Sequence, residues 1–359
     1  MMSSRTLVVL LALALAVATT PSTHAGSLTP PPGPVQATNR VQLNAQSITL
    51  PYTISSPGSY VLTSDLVGVT GQHGIIIDAD NVTLDLNGFT IKGVPGAKSG
   101  IYVPTARVNG TILNGTIDGW NTIGDGAVRA ENMTGGAYRS LSVTNSGSGL
   151  FVGVGSRVES CFASGNIGDG FTLQGSSTIV NCVARQNGHN GFAGGQYCVY
   201  ENCVAENNTG FSFSDGFGIS EGSTLFNCSS IGNSGRGFLS RSSGNQTPII
   251  LSNCSTSGNS LEGIFAGPNT IVTSSQSLNN IGVGISLGDG SRINDCTVEG
   301  NGSHGILAGA NSVISGSIIR NNTSNGIETS NSIVKLCVSL ANGGTNVNNA
   351  GGMTLETIN

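Results

Sequence analysis

Asp169, Asp215, Arg236 and Glu262 each stand immediately before a glycine that is followed by an apolar residue. Two carboxyl groups on opposite sides of a glycosidic bond act as acid and base in its hydrolysis. A guanidinium binds a carboxylate through two hydrogen bonds, or stabilises negative charge that develops in a reaction. We therefore take Asp169, Asp215 and Arg236 as candidate catalytic residues. Glu262 is a candidate substrate-binding residue.

Aromatic residues accompany these charged residues. Phe211 and Phe213 fall in the segment 209–215, and the only tryptophan, Trp120, lies in the segment 118–125. Exposed aromatic rings offer flat apolar surfaces to sugar rings, so these three residues are candidate binding surfaces for a polysaccharide. The alternative is structural: the rings pack back on the protein, and the charged residues form a surface ion ladder worth under about 1 kcal/mol per pair.

A repeat positions these residues. A glycine followed by an apolar residue recurs along the chain, and the interval returns to 21 residues, with the longer intervals explained by inserted loops. We call these positions the anchor glycines. They are Gly74, Gly100, Gly126, Gly149, Gly170, Gly191, Gly216, Gly237, Gly263, Gly284, Gly305 and Gly326.

Other positions keep register with the anchor glycines. A row of Cys and Ser contains Cys161, Cys182, Cys203, Cys228 and Cys254, and asparagine stands five residues after every member of that row. A unit of 21 residues is too short for a βαβ crossover, but it accommodates three short strands separated by turns. If each unit is one coil, equivalent residues stack about 4.8 Å apart. The sequence predicts an all-β parallel β-helix of about twelve coils.

Three stretches resemble a known superfamily. They are PGSYVLTSDL (57–66), GIIIDADNVTLDLNGFTI (74–91) and the repeated NC-x-A-x-x-N-x-x-x-GF of 181–192. Over residues 48–346 the chain resembles the right-handed parallel β-helices of the pectate-lyase-like superfamily, and more closely the secreted bacterial β-helix repeat proteins. That resemblance implies a right-handed solenoid. It leaves activity open, since the superfamily includes lyases, hydrolases, epimerases, phage tailspikes and adhesins.

The best-known catalytic motifs of that superfamily are missing from this sequence. There is no N-T-D, D-D, G-H-G and R-I-K series as in polygalacturonases, and Ser303-His304-Gly305 is the nearest approach to G-H-G. The W-x-D-H and R-x-P-x-x-R elements of pectate lyases and the D-P-H-D of mannuronan epimerases are also missing. Any catalytic site would therefore differ from these familiar solutions.

The cysteines and acidic residues do not indicate a metal site. Seven of the eight cysteines occupy the ladder position, where small apolar residues are expected, so we predict mostly free, buried thiols. No CxxC spacing is present. Asp78, Asp80 and Asp85 fit turn chemistry better than calcium binding. We expect no metal and no cofactor.

Charge and the N-terminal segment bound the partners and the location. The net charge is −5 and no basic cluster occurs, which argues against nucleic acid. Residues 1–25 have the features of a secretory signal peptide, and no later stretch is apolar enough to span a bilayer. We expect a secreted or periplasmic monomer with a Pro-rich linker and N-terminal extension (26–47), cap strands (48–73), a β-helix (74–346) and the solenoid end (347–359).

Two functional hypotheses follow. In the first, a secreted protein binds a polysaccharide, and as a lyase or glycoside hydrolase also cleaves it. The inserted segments 209–215 and 241–248 would wall a groove floored by Ala193, Gly218 and Leu239. In the second, the solenoid is a non-catalytic surface or matrix protein that serves structure or adhesion. The absence of the familiar motifs favours the second, whereas clustered insertions and aromatics favour the first.

Overall fold

The computed structural model describes residues 40–122, 124–210, 214–241 and 247–358. The expected signal peptide, the linker up to residue 39, and Phe211 and Phe213 lie outside the described residues. In the described part of the chain all regular structure is β, and every pairing between strands is parallel. The predicted all-β parallel β-helix is confirmed. None of its elements is a helix long and apolar enough to cross a membrane.

One face of the solenoid is a fourteen-stranded sheet to which each coil contributes one strand. Its strands pair in register from coil to coil, for example Phe171 with Phe192 and Phe192 with Phe217. The strands are Tyr52–Ile54, Ile75–Ile77, Ile101–Tyr102, Val128–Ala130, Leu150–Val152, Phe171–Leu173, Phe192–Gly194, Phe217–Ser220, Phe238–Arg241, Ile264–Ala266, Ile285–Leu287, Ile306–Ala308, Ile327–Ser330 and Val347–Ala350.

The other two faces join into a 26-stranded sheet, because the long strands Thr111–Asp118 and Ala137–Thr144 run across the corner between them. The remaining strands of this sheet are Val41–Leu43, Gly58–Leu62, Leu66–Val67, Val82–Asp85, Thr90–Lys92, Arg157–Glu159, Phe162–Ser164, Thr178–Val180, Val183–Arg185, Val199–Glu201, Val204–Glu206, Thr224–Phe226, Ser229–Ile231, Ile250–Ser252, Ser255–Ser257, Ile271–Thr273, Gln276–Leu278, Arg292–Asn294, Thr297–Glu299, Val313–Ser315, Ile318–Arg320, Ile333–Lys335, Val338–Leu340 and Met353–Leu355. A two-stranded sheet of Arg107–Val108 and Met133–Thr134 completes the fold.

The solenoid makes about fifteen turns, so the predicted number, about twelve, is too low. The reason lies in the anchor position. The backbone N–H of Tyr52 donates to Gly74, and that of Ile327 donates to Asn346, in the same pattern that joins Phe171 to Gly191. Pro51 and Asn346 thus occupy the anchor position in the first and last strands of the fourteen-stranded sheet, where a search for glycine does not find them.

Tight approach of successive coils explains the anchor glycines. A Cβ added to Gly170 would lie 2.8 Å from the carbonyl oxygen of Gly191 and 2.7 Å from the side-chain amide of Asn187. Real Cβ atoms do not approach other atoms so closely, and Gly170 is not among the residues with positive φ. Gly170 is therefore required for space rather than for an unusual backbone conformation.

The interior is filled by stacked equivalent residues. Phe171, Phe192, Phe217 and Phe238 are buried, with adjacent ring centroids 4.6–5.0 Å apart. Tyr200 meets Phe192 and Phe217 edge-on. Such offset stacks and edge contacts are favourable beyond the area that they bury.

The predicted asparagine ladder also lies inside. Asn166 Nδ2 donates to Asn187 Oδ1 at 2.9 Å, and Asn187 Nδ2 donates to Asn208 Oδ1 at 3.0 Å. The same oxygens accept the backbone N–H of the preceding ladder residue. Each asparagine side chain therefore satisfies a buried backbone donor at the corner of the neighbouring coil. The positive φ angles fall one position earlier, as at Gln186 and Asn207.

The predicted cysteine row is confirmed as well. All eight cysteines are free and buried. The N–H of Cys161 lies 3.4 Å from Cys182 Sγ, and Cys203 Sγ donates to the carbonyl of Glu201. Burial raises the pKa of Cys296 to about 11, so that thiol stays protonated at neutral pH. The thiols of this row therefore pack as small apolar side chains that also donate weak hydrogen bonds.

Candidate functional site

The middle residue of each short strand in the fourteen-stranded sheet points away from the interior, because side chains alternate along a strand. We call these residues the outer row. In coil order, registers place in it Tyr102, Arg129, Phe151, Thr172, Ala193, Gly218, Leu239, Phe265, Ser286 and Leu307.

Small residues occupy most of the centre of the outer row, and aromatic residues stand on both sides of it. Thr172, Ala193 and Gly218 have short or no side chains, and Leu239 follows them. Phe151 and Phe265 bracket these four residues, five strand spacings apart, or about 24 Å at about 4.8 Å per spacing. We call the strip from Phe151 to Phe265 the trough. Ala193, Gly218 and Leu239 pair in register on successive coils, as the predicted floor requires. Much of the predicted walls, residues 211–213 and 242–246, lies outside the described residues, so the groove stays a prediction.

The charged residues predicted from the sequence line one side of the trough. Asp169, Asn190, Asp215, Arg236 and Glu262 follow each other on successive coils, joined through the backbone at the anchor position. Asp169 and Asp215 are thus separated by one intervening coil, as expected. We call these five residues the corner row. It places the four charged candidates in a single line beside the trough.

Asp169 is engaged with the next coil. Its Oδ1 accepts hydrogen bonds from the backbone N–H and the side-chain amide of Asn190, at 3.0 and 2.9 Å. The same oxygen lies 2.6 Å from Nδ1 of His189, whose side chain is 41% exposed. A carboxylate that orients a histidine in this way is the arrangement used by many general bases. His189 immediately precedes Asn190 of the corner row.

Asp215 is only 3% exposed. Its Oδ1 accepts the backbone N–H of Arg236 at 2.8 Å, and its own N–H donates to Oδ1 of Asn190 at 3.0 Å. These bonds tie three coils together at the corner, which is a structural task. The roles of Asp169 and Asp215 as an acid–base pair, and of Arg236 as a catalytic cation, stay predictions.

Arg236 and Glu262 form one unit with an aromatic ring. Arg236 Nε lies 2.8 Å from Glu262 Oε2, within ion-pair distance, although the N–H does not point at the oxygen well enough to count as a hydrogen bond. The guanidinium carbon lies 4.8 Å from the ring centroid of Phe265, which is 38% exposed. The end of the trough therefore offers an apolar ring held by a cation that is itself paired.

Trp120 does not belong to this surface. It is fully buried, and its Nε1 donates to the carbonyl of Ile91 at 3.0 Å. The expected role as a stacking surface for a ligand is incompatible with that position. The ring fills interior space left by glycines, since Cβ atoms at Gly68 and Gly74 would lie 2.7 and 3.0 Å from it. A lone Trp between glycines is thus explained by packing.

Sequence reasoning missed the aromatic and cationic residues at the other end of the outer row. The ring of His73 stacks on Tyr102 with centroids 4.2 Å apart, and the Arg129 guanidinium lies 5.7 Å from the centre of the Tyr102 ring. Burial lowers the pKa of His73. Tyr102 and Phe151 stand two residues after an anchor glycine, and Arg129 stands two residues after Ala127, which holds the anchor position of its coil. Every outer residue has this spacing, so the sequence alone does not single these three out.

The aspartates considered for calcium are committed to other partners. Arg107 pairs with Asp78, and Arg40 lies 2.7 Å from Asp85. Asp80 accepts the backbone N–H of Val108 at 3.0 Å. Within the described ranges no group of three or more His, Cys, Asp or Glu side chains could hold a metal ion.

Solved structures share this architecture at low sequence identity. The periplasmic alginate epimerase AlgG matches with a TM-score of 0.52 and 14% identity over 88% of this chain and 82% of its own. The catalytic unit of the GH87 α-1,3-glucanase from Streptomyces thermodiastaticus matches with a TM-score of 0.50 and 15% identity over 84% of this chain and 61% of its own. The A-module of the Azotobacter vinelandii mannuronan C-5 epimerase AlgE4 matches with a TM-score of 0.47 and 16% identity over 83% and 90%.

No protein-family model and no curated protein matches the chain. Identities of 14% and 15% establish the fold alone. The chain therefore has a right-handed parallel β-helix fold, which it shares with the alginate epimerase and the α-1,3-glucanase.

Proposed function

We propose that this protein binds a polysaccharide along the trough. The observation that carries the proposal is that Phe151 and Phe265 bracket a strip of about 24 Å, five strand spacings, with mostly small outer residues and with polar side chains along one side. Ligand sites combine apolar and aromatic surface with a few polar groups that fix orientation. A strip that crosses five strand spacings suits a polymer better than a small molecule.

The regular architecture supports a polymeric ligand. Equivalent groups recur at about 4.8 Å along the solenoid, so they can meet successive units of an extended chain. Two neighbours with TM-scores of 0.52 and 0.50 are described as an alginate epimerase and an α-1,3-glucanase, and both names denote action on polysaccharides. This likeness supports the class of ligand and leaves its identity to experiment.

Cleavage of the bound polymer is the finer version of the proposal. The Asp169–His189 contact is the feature of the corner row that most resembles a general base. A lyase would leave an unsaturated product that absorbs near 235 nm, whereas a hydrolase would release reducing ends without that absorbance. Both readouts, followed together on every polysaccharide that binds, distinguish lyase, hydrolase and non-catalytic binding protein.

Binding itself is tested by electrophoresis of the purified chain in native gels that contain a panel of neutral and acidic polysaccharides. We expect at least one polymer to retard the protein. Phe265→Ala should weaken that retardation at least tenfold in apparent Kd. Phe226→Ala is the matched control, because Phe226 is 48% exposed on the other sheet. Absence of retardation by every polymer, or equal loss in both variants, would overturn the proposal.

Export belongs to the same proposal. Residues 1–25 have the composition of a signal peptide, and one of the structural neighbours is described as periplasmic. Mass spectrometry of the chain recovered from the periplasm or the medium should give an N-terminus at Gly26. A chain that keeps residues 1–25 and stays in the cytoplasm would contradict export.

A further inference from the structure

A pocket of about 90 Å³ opens at the Phe151 end of the trough. It is lined by residues 124–126, Val128, Arg129, Ser148 and Phe151. Whole small-molecule sites are several times larger, so this pocket does not enclose a complete ligand. It is large enough to receive one edge of a sugar ring whose face lies against Phe151.

The polar groups of the pocket are a carboxylate, a hydroxyl and a guanidinium, from Asp125, Ser148 and Arg129. Asp125 Oδ1 accepts a hydrogen bond from the Ser99 hydroxyl at 2.9 Å, which fixes its position. Carboxylates accept and guanidinium groups donate, so together these side chains can bind neighbouring hydroxyl groups of one sugar unit. An apolar ring beside such groups matches the two chemical faces of a pyranose.

The charge of Arg129 is already balanced. Its Nε lies 2.8 Å from Glu131 Oε1, and its Nη1 lies 3.5 Å from Asp125 Oδ1. Two carboxylates thus contact one guanidinium, and the carboxylate of Asp125 itself faces the pocket. A uronate entering here would meet a like charge and no unpaired cation, which costs binding energy. Neutral hydroxyl groups meet no such penalty.

We infer that this pocket is a subsite for a neutral hexopyranose unit, at the N-terminal end of the polysaccharide-binding trough, and that it disfavours uronate units. The inference rests on the proposed function, because the pocket alone is too small to hold a polymer. It adds the class of sugar and the residues that select it: Phe151, Asp125 and Arg129, with Glu131 holding Arg129.

The first experiment removes the apolar surface. Affinity electrophoresis compares the wild-type chain, Phe151→Ala and the control Phe162→Ala in gels with dextran, laminarin or galactomannan, and with alginate or polygalacturonate. Phe162 is a half-buried phenylalanine on another face of the solenoid. We expect neutral polymers to retard the wild type, and Phe151→Ala to raise the apparent Kd at least tenfold while Phe162→Ala leaves it unchanged.

The second experiment inverts the selectivity. The double variant Asp125→Asn/Glu131→Gln leaves the Arg129 cation without its carboxylate partners, so it should gain at least tenfold in affinity for alginate and lose affinity for the neutral polymer. Circular dichroism melting verifies that the variant folds. If it does not, Glu131→Gln alone serves with the same expected direction.

The outcomes separate the two proposals. If a polysaccharide binds and Phe265→Ala weakens it, but Phe151→Ala has no effect, the trough stands and the subsite is wrong. If wild-type protein binds alginate or polygalacturonate as tightly as any neutral polymer, or the charge variants gain no affinity for them, the selectivity is wrong. If nothing binds, the proposed function fails and the subsite with it.

Discussion

The two faces of the same strands in the fourteen-stranded sheet follow different rules. Phe171, Phe192, Phe217 and Phe238 point inward, and their identical rings are stacked and buried. Their immediate successors, Thr172, Ala193, Gly218 and Leu239, hold the outer position of the strand and differ from coil to coil. Packing determines which residues can occupy the inner positions, because a change of one methylene group there alters stability. Outer positions are free of that constraint, so variation there can serve binding.

This contrast predicts where mutations act. Inner substitutions should lower the free energy of unfolding without a specific effect on ligand binding by the folded fraction. Outer substitutions should change binding and leave stability nearly unchanged.

The largest effect is expected for Phe192→Ala. The ring is buried between Phe171 and Phe217, with centroids 5.0 and 4.6 Å away, so truncation leaves a cavity in the stack. Such truncations cost about 3–5 kcal/mol. Urea unfolding followed by circular dichroism measures the change. A loss below about 1 kcal/mol would show that the stack does not carry the stability assigned to the inner face.

Asn208→Ala tests the polar part of the interior. Asn208 Oδ1 accepts the backbone N–H and the side-chain amide of Asn187, at 3.1 and 3.0 Å, so its removal leaves a buried donor without an acceptor. We expect a loss of about 1–3 kcal/mol in the free energy of unfolding.

The matched control is Asn202→Gly. Asn202 belongs to an outer asparagine ladder with Asn181 and Asn227, and its φ of 53° suits glycine. This change should cost less than about 1 kcal/mol, because its hydrogen bonds are exposed to water. Equal losses in both variants would contradict the distinction between inner and outer ladders.

The smallest effect among the inner substitutions is expected for Cys203→Ser. The same row already contains Ser275, whose hydroxyl donates to Thr273 O at 2.8 Å and accepts the N–H of Cys254 at 3.1 Å. A serine at 203 can donate to Glu201 O, where Cys203 Sγ already makes a contact of 3.3 Å. We expect a change below about 1 kcal/mol in urea unfolding. A loss above about 2 kcal/mol would show that this row requires sulfur.

Register explains how much of the fold the sequence predicts. The cysteine and asparagine rows repeat because each coil must present the same group to the next, so their spacing reveals coil length and interior. The number of turns was underestimated because Pro51 and Asn346 replace glycine at the ends. At these two positions the sequence has no anchor glycine, although the backbone pairing between coils continues.

The candidate site is less predictable for the same physical reason. The corner row was found because it precedes the anchor glycine, and the floor of the trough because it follows in register. The repeat register does not show whether a side chain outside the repeated positions is exposed. The sequence therefore predicted Trp120 as a surface ring, whereas the ring is buried in space left by interior glycines. Phe151 and Arg129 were overlooked because nothing in the spacing distinguishes a useful outer residue from a neutral one.

The most direct test of the contrast between the two faces is the affinity of Ala193→Arg for the polysaccharide that binds the wild type. Ala193 lies in the middle of the trough, and a long side chain there should block the polymer without touching the interior. Leu307→Arg is the control, two coils beyond Phe265 on the same outer row. We predict that Ala193→Arg loses at least tenfold in affinity in native gel electrophoresis, while Leu307→Arg binds as the wild type does and both unfold at similar urea concentrations. Equal binding by the two variants would contradict a ligand in the trough.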